Sequence, residues 1–272
     1  MAAPDRNLIR PVSGATAFYV PTEGGFEATE LTRGPWDEGS QHLGPPAALL
    51  GRELERAEAR PEFEIARVTF EILGPVPIGQ VEVSARVTRP GRTIELLEAE
   101  LSAGARPAVR ARAWRIRREK VALDEGSEAV AAPAGPDGTD PMIFALVENR
   151  PGWHRAMEFR SLQGGFDEIG PATVWMRMAT PLLAGEEPSP LQRVVMAADG
   201  GNGISSPLPW DRYLFINTDL TVNLHRQPEG EWVCLDSHTR VEPHGTGLTV
   251  TRLFDGTREI GLATQTLVVR ER

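Results

Sequence analysis

The residues able to do chemistry in this chain are few and scattered. Five histidines stand at positions 42, 154, 225, 238 and 244. They form no HExxH pattern and have none of the carboxylate spacing of a metal site, so neither metal nor cofactor is expected. The single cysteine, Cys234, lies between Val233 and Leu235 and reads as a small buried apolar residue. One cysteine excludes an intrachain disulfide and a cysteine-rich zinc or iron–sulfur site. No GxSxG elbow, P-loop or dinucleotide fingerprint occurs, and LQGGFDEIG (162–170) lacks the spacing and the helix that a phosphate loop needs. What remains is a set of polar side chains in otherwise apolar segments.

Asp199 sits near the C-terminal end of the helical stretch PLQRVVMAADGGNGIS. A carboxylate there opposes the helix dipole. Two readings stay open: it bridges a turn through GGNG, or it points into a substrate groove. Asn202 reads first as a turn residue. Asp219 opens DLTVNL, in which Leu220, Val222 and Leu224 share one face and Thr221 and Asn223 the other. Gln265 shares a face with Ala263 and Leu267, so if buried it needs hydrogen-bond partners. The blander reading of both is a solvated strand face. Trp36, Trp153, Trp210 and Trp232 lie near turns or strand ends, where core packing is the first expectation and pocket lining the second.

The elements that must hold these residues come in two similar series. In LGPPAALLGRELERAEA, Ala47, Leu50, Leu54 and Ala57 recur at helical spacing, and Arg60-Pro61 ends the helix. Strands follow. Val68, Phe70 and Ile72 alternate with Arg67, Thr69 and Glu71, and Val81, Val83, Ala85 and Val87 share a face. RPGR (89–92) turns into TIELLEAELS, and residues 108–116 complete an antiparallel meander. After a Gly-, Pro- and Ala-rich stretch, the order repeats. A lead strand and TVWMRMAT precede a helix from Pro190 to near Gly200-Gly201, and four strands follow near 214–224, 232–238, 247–254 and 260–269. RVTFEILGPVPIGQV lies 151–152 positions before DLTVNLHRQPEGEWV, and PAVRARAWRI lies 152 before EIGLATQTLV. Two copies of one subdomain account for this. The division is 1–118, a linker over 119–140, and 141–272. The 152-residue offset sets Arg67 against Asp219 and Ala113 against Gln265.

Composition narrows the function classes. The 272 residues are 40% hydrophobic, enough for a real core, and carry a net charge of -9. The only basic cluster is Arg110, Arg112, Arg115, Arg117 and Arg118, on and beside a strand, so nucleic acid is not an expected partner. The N-terminus has no signal-peptide core and no apolar run could span a membrane, so a reducing cytoplasmic setting is expected.

These motifs together resemble the thioesterase-like double hotdog superfamily, the group that contains bacterial acyl-CoA thioesterase II. The resemblance rests on GPPAALL and RVTFEILGPVPIG in the first half. In the second it rests on FINTDLTVNLHR, EWVCLDSHT, GTGLTVTRLFD and GLATQTLVV. It implies an α+β double hotdog, two antiparallel sheets each wrapped around a long central helix. It also implies an aspartate, a threonine or serine, and a glutamine that organise a hydrolytic water. Asp219 matches the aspartate, with His225-Arg226 following at the family's distance, and Gln265 matches the glutamine of the last strand. Ser237 or Thr239 matches the hydroxyl, with Thr239 the better fit. The chain departs from the family in having Leu220 and Thr221 where His and Ser are usual. Pro45 and Pro46 remove two amides from the start of the first helix, so the site is expected mainly in the second half, with an amide near the start of that half's helix facing the thioester carbonyl.

The implied activity is metal-independent attack of an oriented water on an acyl-CoA or other pantetheine thioester. The alternative is an acyl-thioester-binding or structural hotdog protein with little turnover. A hotdog hydratase ranks last, because neither long helix carries a histidine. Pairing of an exposed sheet face into homo-oligomers is compatible with this fold.

Overall fold

The computed structural model describes residues 14–122 and 129–272. In the first half a short hairpin, β1 (Tyr19–Thr22) and β2 (Gly25–Ala28), precedes helix α1 (Gly44–Arg56). Pro45 and Pro46 occupy the first turn of α1, where a missing backbone N–H costs nothing. The helix buries Ala47, Ala48, Leu49, Leu50 and Leu54. It lies against β3 (Phe63–Ile72), β4 (Gln80–Arg89), β5 (Ile94–Ala103) and β6 (Arg106–Arg117), whose apolar residues alternate inward.

The second half begins with a one-turn helix, α2 (Trp153–Ala156), and strands β7 (Met157–Gln163) and β8 (Ala172–Met178). Helix α3 (Pro190–Ala198) follows, capped by the Ser189 hydroxyl on the amide of Gln192. It ends at Ala198, beside the Gly200-Gly201 pair near which the sequence pattern closes it. The chain tightens at Asp199 and Gly200, where the Gly200 amide bonds back to Ala197, and a separate turn, α4 (Gly201–Ile204), completes the segment. Adjacent glycines are poor helix formers, which accounts for the break. The strand expected over 214–224 is likewise divided, into β9 (Tyr213–Asn217) and β10 (Asp219–Leu224). The last three strands are β11 (Val233–Val241), β12 (Thr246–Phe254) and β13 (Glu259–Glu271).

All strands join one antiparallel sheet in the order β1-β2-β4-β5-β6-β3-β10-β13-β12-β11-β8-β7, with β9 pairing β13. The run β4-β5-β6-β3 and the run β11-β12-β13-β10 have the same internal order, so each helix faces an equivalent half-sheet. The halves meet edge to edge at β3 and β10. There Thr69 lies opposite Thr221, their hydroxyls 3.1 Å apart. These two threonines are themselves separated by the 152-residue offset of the repeat. The pseudo-twofold axis therefore passes through this pair, and no strand edge is left open at the join.

α1 and α3 lie side by side in opposite directions on the inner face. A Cβ on Gly51 would touch Leu191 and Val195, and one on Gly44 would stand 2.7 Å from the Met196 carbonyl oxygen. The start of α1 is thus pressed against the end of α3. The basic cluster is spent on ion pairs. Arg110 meets Glu100, Arg112 meets Glu98, and buried Arg115 meets Glu95 at 2.5 Å. The expected linker lies partly outside the described residues. Where described, it runs along the second half, with the Ala134 carbonyl accepting from the indole of Trp175.

Candidate active site

The antiparallel packing of the helices brings His42, just ahead of α1, to Asp199 at the end of α3. Asp199 Oδ2 is 3.0 Å from His42 Nδ1. This contact sets the carboxylate beside the start of the opposite helix, whose dipole favours a negative group, and so offsets the dipole at the end of its own helix. Asp199 Oδ1 accepts from Asn217 Nδ2 at 2.9 Å and from Gln265 Nε2 at 3.4 Å.

Gln265 is fully engaged. Its Oε1 accepts from the Asn202 amide at 3.1 Å, and its Nε2 also donates to the Asp199 carbonyl at 3.2 Å and to Asn202 Oδ1 at 3.3 Å. Asn202 Nδ2 donates to the Phe215 carbonyl. Asp199, Asn202 and Gln265 are all buried. The sequence permits this closeness through Gly201, where a Cβ would lie 2.6 Å from Thr251 Oγ1 and 3.0 Å from Gln265 Oε1.

The cluster borders a cavity of about 540 Å³ between the two halves. Trp36, His42, Ile72 and Val76 line it from the first half, and Phe144, Trp153, Phe166, Trp210 and Ile216 from the second. The aromatic walls hold one another. Trp36 lies 4.8 Å from Trp210, and Phe144 lies 4.6 Å from Phe166, measured between ring centroids. His42 stacks on Trp153 at 3.9 Å with the rings within 3° of parallel. His154 also lines the cavity, and burial lowers its pKa to about 4, leaving it neutral near pH 7. Of the four tryptophans read from the sequence, only Trp232 is away from the cavity, beneath Arg177.

The three residues matched through the resemblance do not meet. Gln265 faces the core beside Asp199. Thr239 is also on the core face, but Thr249 stands between them, opposite both Thr239 and Gln265. Thr239 is therefore two strand spacings, roughly 10 Å, from Gln265. Its hydroxyl lies 2.8 Å from Ser205 and 2.7 Å from Thr249 in a buried hydroxyl row beneath α4, and Ser237 bonds Thr251 in the same way.

Asp219 is on the other side of the sheet. It has the parity of Thr221 and Asn223 and lies opposite Glu71, which lines the outer face with Arg67 and Thr69. Its carboxylate accepts from the Thr266 amide at 2.9 Å, closing the gap in the ladder where β9 gives way to β10. The structure brings together Asp199, Gln265, Asn202 and His42, and places Asp219 and Thr239 apart from them. Arg226, part of the motif that pointed to Asp219, pairs with Asp255 instead. The start of α3, expected to face the thioester carbonyl, lies at the end of that helix away from Asp199, and both halves build the site.

Two family profiles match the chain. The N-terminal domain of acyl-CoA thioesterase matches residues 32–116, and the C-terminal domain of acyl-CoA thioesterase matches residues 125–269. The chain belongs to the thioesterase-like double hotdog superfamily. No curated protein sequence matches it.

Among solved structures, this double hotdog is similar to a hot dog fold protein of unknown function from Alicyclobacillus acidocaldarius, with a TM-score of 0.72 and 14% identity. That match covers 94% of this chain and 97% of the other. It is also similar to an acyl-CoA thioesterase II from Mycobacterium marinum, with a TM-score of 0.60 and 15% identity over 86% of this chain and 91% of that one. At these identities the likeness is one of fold. No helix among the described residues is long and apolar enough to cross a membrane.

Proposed function

We propose that this double hotdog hydrolyses an acyl-CoA or other pantetheine thioester, using a water activated where the polar cluster of Asp199, Asn202 and Gln265 meets the cavity. The observation that carries the reading is the junction itself. A buried, negatively charged hydrogen-bonded group borders an apolar, aromatic-lined cavity between the halves. The cavity wall suits an acyl group, and its burial there excludes bulk water from the reacting carbonyl. Asp199 supplies the negative charge that water activation needs, and Asn217 and Gln265 fix its orientation. Thr239 supports this arrangement from below, through Ser205 and α4. No covalent acyl-enzyme is required, since the cluster holds no nucleophilic serine or cysteine.

The test is free-thiol release from a panel of short, long and aromatic acyl-CoAs, with binding measured on the same preparation. Release above the uncatalysed rate for any member supports hydrolysis. Tight binding without release supports the acyl-thioester-binding alternative.

A further inference from the structure

We infer that His42, contributed by the first half, is the base that takes the proton from the attacking water, and that Asp199 acts through it. This inference rests on the hydrolytic reading above and assigns the proton to an atom.

The carboxylate of Asp199 is heavily used. Its Oδ1 accepts two side-chain amides and its Oδ2 faces His42 Nδ1 at 3.0 Å. His42 Nδ1 has two competing neighbours, because the Gly44 amide also lies 3.1 Å from it. An unprotonated Nδ1 would accept from Gly44 but set its lone pair against a carboxylate oxygen. A protonated Nδ1 donates to Asp199 in a charge-assisted bond, the stronger of the two arrangements. The network thus assigns the proton to Nδ1 and leaves the lone pair on Nε2.

No hydrogen-bond partner of Nε2 occurs among the described residues, and the imidazole lines the cavity. Stacking at 3.9 Å on Trp153 fixes the ring plane, and the indole face favours the imidazolium that forms when Nε2 takes a proton. Carboxylate, imidazole and reacting oxygen then stand in the order used by hydrolytic triads, with water in place of a serine.

The step balances. A water proton passes to Nε2 as the water oxygen bonds to the thioester carbonyl carbon, giving a tetrahedral oxyanion. Collapse breaks the carbon–sulfur bond, and the leaving thiolate takes the proton back from Nε2. The products are a carboxylic acid and a free thiol, with His42 neutral again.

The experiment compares the full-length wild type with His42→Asn and His42→Ala on a hydrolysed acyl-CoA, reading kcat, KM and ligand affinity separately. Asn keeps an N–H for Asp199 but supplies no base. The expected result is a fall in kcat of about 10²-fold or more for both variants, by the usual scale of general-base effects, with KM and affinity within about threefold. Added imidazole should restore part of the turnover of His42→Ala. A His42→Asn variant with kcat within about threefold of wild type overturns the assignment and makes His42 a positioning residue for Asp199. A wild type that releases no thiol from any acyl-CoA overturns the hydrolytic reading itself, and this inference with it.

Discussion

Asp199 is a carboxylate that its own helix disfavours, and the opposing helix keeps it in place. His42, Asn217 and Gln265 each reach it from a different segment, so its geometry is over-determined. Asp219 is the converse: among the described residues its carboxylate accepts one hydrogen bond, from the Thr266 amide, on the outer face. Replacing Asp219 by Ala should therefore lower stability by about 1 kcal/mol, the usual worth of one such bond, and leave turnover within about threefold of wild type. Urea unfolding and steady-state rates on one preparation check both parts. The strand parity of Asp219 was legible in the sequence, since it shares a face with Thr221 and Asn223. The register was not. Only the pairing of Thr221 with Thr264 shows that Gln265 faces the opposite way. His42 was legible as a residue ahead of a helix, but its partner follows from helix packing, which no local pattern encodes.

At the scale of elements, α4 is the piece on which the site depends most. It is a single turn laid on the hydroxyl row of Ser237, Thr239, Thr249 and Thr251, and Gly201 allows it to sit there. A Gly201→Ala substitution places a methyl 2.6 Å from Thr251 Oγ1. It should cost roughly 2 kcal/mol, as overpacking does, and lower kcat by displacing Asn202 from Gln265. Thermal melts and thiol-release rates test this.

A second anchor lies beyond the site, at the turn after β12. Burial alone would raise the pKa of Asp255. The amide of Glu229, the Thr257 hydroxyl and the amides of Thr257 and Arg258 outweigh it and hold the carboxyl below its ordinary range, and the Arg226 guanidinium pairs with the same carboxylate. A depressed folded pKa means that this stabilisation is complete above the unfolded value, near 4, and is lost as pH falls through the folded value. Asp255→Asn should then destabilise by about 3 kcal/mol at pH 7, the cost of breaking a buried pair, and its stability should fall less steeply below pH 4 than that of the wild type. Denaturant titrations across the acid range read the difference. The elements themselves were largely legible, because alternating β-strands and the apolar stripe of α1 are local patterns. The break at Gly200 was marked by the glycine pair, whereas the one at Thr218 was not legible, since it answers contacts made across the fold to Thr266.

At the scale of the whole molecule, divergence after duplication explains why the described residues of the first half have no counterpart of the buried Gln265 amide. The strand orders of the halves correspond and the axis passes between Thr69 and Thr221, so each inner face offers an equivalent place. The chemistry differs because the equivalent of Gln265 is Ala113, which is fully buried and brings no polar group. The 152-residue offset made this asymmetry readable before any coordinates. What it did not reveal is that the candidate site draws His42 from one half and Asp199 from the other. The most direct measurement of the central claim is single-turnover thiol release by wild type, Asp199→Asn and Asp219→Asn on an acyl-CoA that the wild type hydrolyses. The account predicts a loss of about 10²-fold or more for Asp199→Asn and a rate within about threefold of wild type for Asp219→Asn. The reverse pattern, an inactive Asp219→Asn beside an active Asp199→Asn, would contradict it.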